Sequence, residues 1–309
     1  MSSPELSQLA AGAAARLEAQ LEQALPAMAP QLRAWLRRLS GESAPAAYFL
    51  HPLAFPSLGL PWWFETSLRG AVNPALQADL IYSTMNGYYY IRLIDNVMDG
   101  HATVETQLLP ALGFFHTQFQ GVYLRYFAPE HPFWPLFERT WYQSAEAAMH
   151  EAQLPAINLD QFRQVSAQKV CAAKIPLAAV GYFYNRPELI GPWCQLVDAL
   201  GAWHQLRNDL FDWHRDLTRG AVTYFLSEAE LRRRPAEPVA GWVARQGFAW
   251  GLDMLAEMMS ALNTAAKPLD CPPLLAYLAE RRRLLAETGR QAQKGLAALA
   301  KLAGAFTQK

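Results

Sequence analysis

The chain has 309 residues, with 27 Lys and Arg balanced by 27 Asp and Glu, 52% hydrophobic residues and 17% charged ones. That much apolar material excludes intrinsic disorder, and zero formal charge argues against a nucleic-acid binder, which needs a basic face to neutralise phosphates. Cys171, Cys194 and Cys271 are odd in number and far apart, so neither a disulfide framework nor a zinc cage is implied and a reducing compartment fits best.

Hydrophobic periodicity is helical almost throughout. In the N-terminal segment 1–43, Leu17, Leu21, Leu25 and Met28 recur at helical spacing among alanines. The opening residues lack the basic stretch and apolar core of a secretory signal. The longest apolar run, Ile175 to Tyr184, is about half of the ~20 residues a bilayer span requires, so a cytoplasmic protein is expected. Residues 44–61, with Pro45, Pro52, Pro56 and Pro61, read as an irregular segment that is buried or lines a cleft. Leu76 to Met98 reads as a long helix ended by Gly100, and Leu108 to Phe127 as another. A Pro-containing turn at 129–135 separates it from Leu136 to Ala152. Asn158 caps a helix expected to run through Lys174 and to kink at Pro176. Pro192 to Leu217, Val239 to Leu262 and Pro273 to Phe306 complete the set. No stretch alternates with period two, and neither a glycine-rich nucleotide loop nor an internal repeat appears. The reading is one all-α domain over 1–309, a helical bundle.

Two acidic stretches carry the chemistry. In Tyr88-Tyr-Tyr-Ile-Arg92-Leu-Ile-Asp95-Asn-Val-Met-Asp99, the two aspartates are one turn apart on one helical face. Carboxylates that close repel unless a cation joins them, and acids are unfavourable at the negative end of a helix. Hard divalent ions such as Mg²⁺ take oxygen ligands of this kind and keep positions open for phosphate oxygens. The second stretch runs His204-Gln-Leu-Arg-Asn208-Asp209-Leu-Phe-Asp212-Trp-His-Arg215-Asp216. Asn208, Asp212 and Asp216 recur every four residues, an oxygen-rich stripe that His204 continues one turn earlier. Two such helices facing one another in a bundle would build a metal site in its core.

Together these stretches resemble the two Asp-rich motifs of the class I isoprenoid synthase superfamily. The resemblance covers most of residues 75–230. Asp95 to Asp99 is similar to the first motif. The second is similar to three patterns: the D-x-x-x-D of squalene and phytoene synthases (Asp212 and Asp216), the N-D-x-x-S-x-x-x-E of terpene cyclases with Asp for both Ser and Glu, and the D-D-x-x-D of chain-elongating prenyltransferases with Asn208 for the first Asp. Tyr224 stands one residue late for the R-G-x-x-Y-x-P stretch of the squalene branch. Neither Lys nor Arg occurs between Arg38 and Arg69, where that branch carries a basic element. Arg163 lies 45 residues before Asn208, about where cyclases carry a diphosphate-sensing arginine, although no clear Arg-Tyr pair stands near the C-terminus.

The resemblance implies an all-α fold with a central cavity and an enzyme acting on a prenyl diphosphate substrate. It also implies two or three Mg²⁺ ions held by Asp95, Asp99, Asn208, Asp212 and Asp216. Asp95, Asp99, Asp212 and Asp216 then act as catalytic residues, and Arg92, Arg163, Lys174 and Arg215 as diphosphate ligands, with Lys169 a weaker one. Tyr88, Phe64, Phe183 and Trp203 are cavity-wall residues on this reading, and a homodimer is compatible with it. A terpene synthase or cyclase is the leading expectation. Head-to-head coupling of two prenyl diphosphates is the alternative, and a non-catalytic isoprenoid- or partner-binding protein the bland one. His204 reads as a proton acceptor or a hydrogen-bonded bystander, and Arg281-Arg-Arg as part of a solvated basic face.

Overall fold

Twenty-one prolines in an almost wholly helical chain must sit where a missing N–H costs little. The first turn of a helix is that place, because its N–H groups have no intrahelical partner. The computed structural model, which describes residues 3–41, 44–98 and 105–306, follows this rule repeatedly. Proline stands first in α1 (Pro4–Ala24), α3 (Pro45–Phe49), α5 (Pro74–Met98) and α14 (Pro272–Phe306), and second in α2 (Ala29–Leu39). It stands third in α4 (Gly59–Arg69), α7 (Phe133–Ala152), α9 (Lys174–Phe183) and α10 (Ile190–Arg219). The remaining helices are α6 (Leu112–Tyr123), α8 (Leu159–Lys169), α11 (Tyr224–Arg232), α12 (Val239–Trp242) and α13 (Phe248–Ala266), with a π turn, Val243–Gly247, joining the last two. No strand occurs among the described residues.

The all-α expectation therefore holds, and its boundaries shift for the same reason. The stretch expected to be one helix over 158–174 is two helices, parted by Val170 and a 3₁₀ turn at Cys171–Ala173, and Pro176 lies in the first turn of the second. Likewise α7 begins at Phe133 and absorbs Pro135, while the irregular segment 44–61 contains α3. Asn158 caps α8 as expected: its side chain accepts from the N–H of Gln161, whose own side chain accepts from the N–H of Asn158. Glu105–Ala111 is 3₁₀ rather than α, with Pro110 inside it.

The described chain groups into two compact units, one of residues 1–142 and 172–194, the other of 143–171 and 195–309. In the first, α1 and α6 pack on α5. Asp79 of α5 accepts from Arg16, Arg125 and Tyr126 at 2.8–2.9 Å, fixing α1 and the end of α6 against it. Glu65 of α4 is fully buried and saturated. It accepts from the Asn73 N–H and the Gln77 amide at 2.7 Å and from the Tyr184 hydroxyl at 2.5 Å, with Arg69 at 3.8 Å. Breaking such a buried charged cluster typically costs about 3–5 kcal/mol, so Glu65 locks α4, α5 and the end of α9 together.

In the second unit α13 packs on α14, and the buried Trp203 of α10 donates its indole N–H to the Leu255 carbonyl of α13 at 3.1 Å. Gly201 lets α8 approach α10 closely: a Cβ there would meet Val170 Cγ2 at 2.4 Å and the Ser166 carbonyl oxygen at 3.2 Å. Gly220 takes φ 68° just past α10 and turns the chain toward α11.

Candidate metal site

The acidic stripe falls near the C-terminal end of α10, a 30-residue helix long enough to present it on one face. Asn208, Asp212 and Asp216 are all half-buried, as four-residue spacing on a partly covered helix requires. Burial pushes the Asp216 carboxyl above its usual range, and the Asp212 charge pushes the same way, while Arg215, Arg219 and Lys169 oppose them. Arg215 spans the two carboxylates: Nη2 donates to Asp212 Oδ2 at 2.7 Å, and Nε stands 3.8 Å from Asp216 Oδ1. One turn earlier, Arg207 Nη1 donates to Asn208 Oδ1 at 3.3 Å. The stripe thus already draws positive charge onto itself. Asp209 is buried on another flank, where it accepts from the Gln205 amide at 2.7 Å.

No three acidic, His or Cys side chains cluster as a ready-made metal site among the described residues. The stripe offers instead two carboxylates and one amide oxygen. That donor set suits Mg²⁺, which is commonly held by one or two carboxylates and completed by water and substrate phosphate.

On α5 the first stretch is partly covered. Asp95 and Arg92 are half-buried one turn apart, and Asp99 lies outside the described residues. The Arg92 Nε is buried without a hydrogen-bond partner, and its charge reaches Tyr88 one turn earlier. The Tyr88 hydroxyl is hydrogen-bonded to that of Tyr48 on α3, so the proline-rich segment is tied to α5 two turns before Asp95.

The other expected ligands stand on other helices. Arg163 is exposed on α8, 3.9 Å from Asp160, and its charge reaches Tyr224. Lys174 opens α9 and so does not share a helix with Arg163. Among the expected wall residues, Phe64 is fully buried against Trp193 at 5.1 Å, and Trp203 is equally buried. Phe183, by contrast, is one of the exposed large apolar side chains: it ends α9 at the surface, edge-on to Tyr126.

Arg281 corrects the expectation of a solvated basic face. Arg282 and Arg283 are exposed, but Arg281 is only 2% exposed. Leu274, Leu278 and Leu285 are buried on the same helical stripe, and this spacing is the signal that places Arg281 inward. Its Nε donates to the Tyr277 hydroxyl at 2.8 Å. Burial, reinforced by Arg281 and Arg207, holds the His204 imidazole down at about 3, so it is neutral at any working pH.

No family model and no curated protein matches the chain. Solved structures do. The geranylgeranyl pyrophosphate synthase of Lactobacillus brevis superposes with a TM-score of 0.63 over 86% of this chain and 98% of that one, at 16% identity. T. brucei farnesyl diphosphate synthase complexed with a bisphosphonate superposes with a TM-score of 0.54 over 94% and 99%, at 13% identity. Among the described residues no helix is long and apolar enough to cross a membrane. At such low identity the likeness is one of architecture: the chain has the all-α fold of the isoprenoid synthases.

Proposed function

We propose that the protein is a Mg²⁺-dependent class I isoprenoid synthase that ionises an allylic prenyl diphosphate. The observation that carries this reading is the half-buried stripe Asn208, Asp212 and Asp216 on α10. Three oxygen donors repeated every four residues on one face suit a shared cation, a role that Arg215 fills only for Asp212 and Asp216. Asp95 on α5, with Asp99 after it, supplies carboxylates of the same kind.

Bound Mg²⁺ supplies Lewis acidity to the diphosphate oxygens. Asn208, Asp212 and Asp216 would hold one such ion, and Asp95 and Asp99 another. Arg215, which now donates to Asp212, and Arg92, whose Nε is buried without a partner, would supply charge-assisted hydrogen bonds to the leaving group. The allylic C–O bond breaks with its electron pair leaving on diphosphate. Apolar and aromatic side chains would keep water from the cation until it loses a proton or couples to a second molecule.

Two fates of that cation define two enzymes. The spacing of Asn208, Asp212 and Asp216 supports a terpene synthase, which keeps the carbon number of its substrate. The fold of the geranylgeranyl and farnesyl diphosphate synthases supports condensation with a second prenyl diphosphate. Incubation with Mg²⁺ and C10, C15, C20 or C25 prenyl diphosphates, singly and in pairs, separates them by product carbon number. Absence of diphosphate release from every substrate would refute the enzymatic reading.

A further inference from the structure

Three large apolar side chains of the second unit that stay exposed share one place. Leu217 at the end of α10, Val222 in the turn after it and Leu231 of α11 line a groove of about 410 Å³, floored by the buried Ile157, Leu226 and Val239. Leu231 is 79% exposed, although Phe225, Leu226 and Ala229 of the same helix are buried. The polar groups of the groove are already used. Asn158 and Gln161 cap one another, and Ser227 Oγ accepts from the Ile157 N–H at 2.9 Å and donates to the Thr223 carbonyl at 2.8 Å. Glu230, at the rim, takes Arg233 at 2.6 Å. An occupant therefore meets apolar surface and one acid, which disfavours an anionic lipid or a diphosphate.

Charge along α11 and just past its end is ordered about Leu231. Glu228 and Glu230 precede it, and Arg232, Arg233 and Arg234 follow it. Glu228 pairs with Arg232 and Glu230 with Arg233, but surface ion pairs of this kind contribute little and can be exchanged. A two-fold axis at Leu231 would lay α11 antiparallel to its copy, with each acidic half facing the other's basic half. The same axis carries each Leu231 toward the other's groove, and a contact of this isologous kind closes at two chains.

We propose that α11 and the groove beside it are the face through which two copies of this chain pair. A second copy covers Leu231, asks for no polar group in the groove and matches both signs of charge on α11. An apolar peptide or a hydrocarbon would fill the groove and leave that ordered charge without a role. The pairing does not depend on the proposed reaction, but it reaches the helix that carries the carboxylate stripe. Leu217 follows Asp216 directly, and the Ala221 N–H closes the turn onto the Asp216 carbonyl at 2.9 Å.

The test is sedimentation-velocity ultracentrifugation of the full chain from about 1 to about 100 μM, the range in which a micromolar dimer dissociates. The wild type should sediment as two chains at the upper concentrations. Leu231→Asp should sediment as one chain throughout, its dissociation constant raised about 100-fold or more, because each copy would bury an unpaired carboxylate. Glu230→Arg sets like charges against Arg232 across the axis, and Arg232→Glu sets them against Glu230, so each alone should weaken pairing about tenfold or more. An equimolar mixture of those two variants should recover the two-chain species, because each then faces the opposite sign. Circular dichroism shows whether each variant is folded, and the mixture carries the test if Leu231→Asp is not. A one-chain wild type at every concentration, a folded Leu231→Asp that pairs like the wild type, or a mixture no better than its components would overturn the interface. Species that keep growing beyond two chains would overturn its two-fold closure. A dimer lost in Leu231→Asp from a wild type that turns over no prenyl diphosphate would keep the interface and refute the enzymatic reading.

Discussion

Replacing Gly201 by alanine tests how closely α8 and α10 are joined. In a helix interior the change ordinarily stabilises, by up to about 1 kcal/mol, because alanine loses less backbone freedom on folding. Here the new Cβ would stand 2.4 Å from Val170 Cγ2 and 3.2 Å from the Ser166 carbonyl oxygen. Ordinary contacts of this kind fall near 3.5–4.0 Å. Val170 is β-branched and cannot swing its methyl away without leaving its rotamer, and a backbone oxygen gives less still. Overpacking of this sort costs about 1–3 kcal/mol, so Gly201→Ala should be destabilising by about 1 kcal/mol net. Gly295→Ala is the internal control, since a Cβ at that exposed position of α14 meets nothing within 4 Å. It should stabilise by a few tenths to about 1 kcal/mol. Urea unfolding followed by circular dichroism reads both, with midpoints moving in opposite directions and a gap of about 2 kcal/mol between the variants. Equal or greater stability of Gly201→Ala would refute the close approach of α8 to α10.

The remaining predictions concern charge. His204 is held at about 3 by burial, Arg281 and Arg207, whereas an unfolded histidine titrates near ~6.5. Between those values the unfolded state binds the extra proton, so the contribution of His204 is complete above pH ~6.5 and is lost as pH falls toward about 3. His204→Gln should flatten that acid limb of the urea-midpoint profile; an unchanged slope would show that His204 is not buried as described. Asp216 behaves in the opposite sense. Its folded carboxyl is raised, so the folded state holds the proton longer and its contribution worsens as pH rises through the carboxylate range. Asp216→Asn should therefore raise the thermal midpoint at neutral pH in EDTA, and a lower midpoint would contradict that reading.

What the sequence disclosed, and what it hid, follows from the range over which each signal acts. Helix type is written in local periodicity, and the carboxylate stripe in four-residue spacing, so both are legible without tertiary contacts. Helix boundaries depend on whether a proline interrupts a helix or opens one. Pro176 and Pro135 were expected outside or at a kink, and both lie in a first turn, where the missing N–H has no partner to lose. Arg281 was misread because three consecutive arginines suggest a solvated face, although its phase with Leu274, Leu278 and Leu285 placed it inward. Tyr48 could not be placed at all from the sequence: only folding sets its hydroxyl against Tyr88, 40 residues away. Glu65 was likewise invisible, because only folding brings Tyr184, 119 residues away, to the carboxylate that Asn73 and Gln77 also bond.

The central claim is that carboxylates on α5 and α10 bind Mg²⁺ in order to release diphosphate from a prenyl substrate. Its most direct measurement is the rate of diphosphate release from C15 prenyl diphosphate, with Mg²⁺ and with excess EDTA, for the wild type, Asp95→Ala and Asp212→Ala. Activity should require Mg²⁺ and fall by about 100-fold or more in both variants while their circular dichroism stays helical, the scale of losing several kcal/mol of transition-state stabilisation. Undiminished release in EDTA, or full activity in folded Asp212→Ala, would contradict the account.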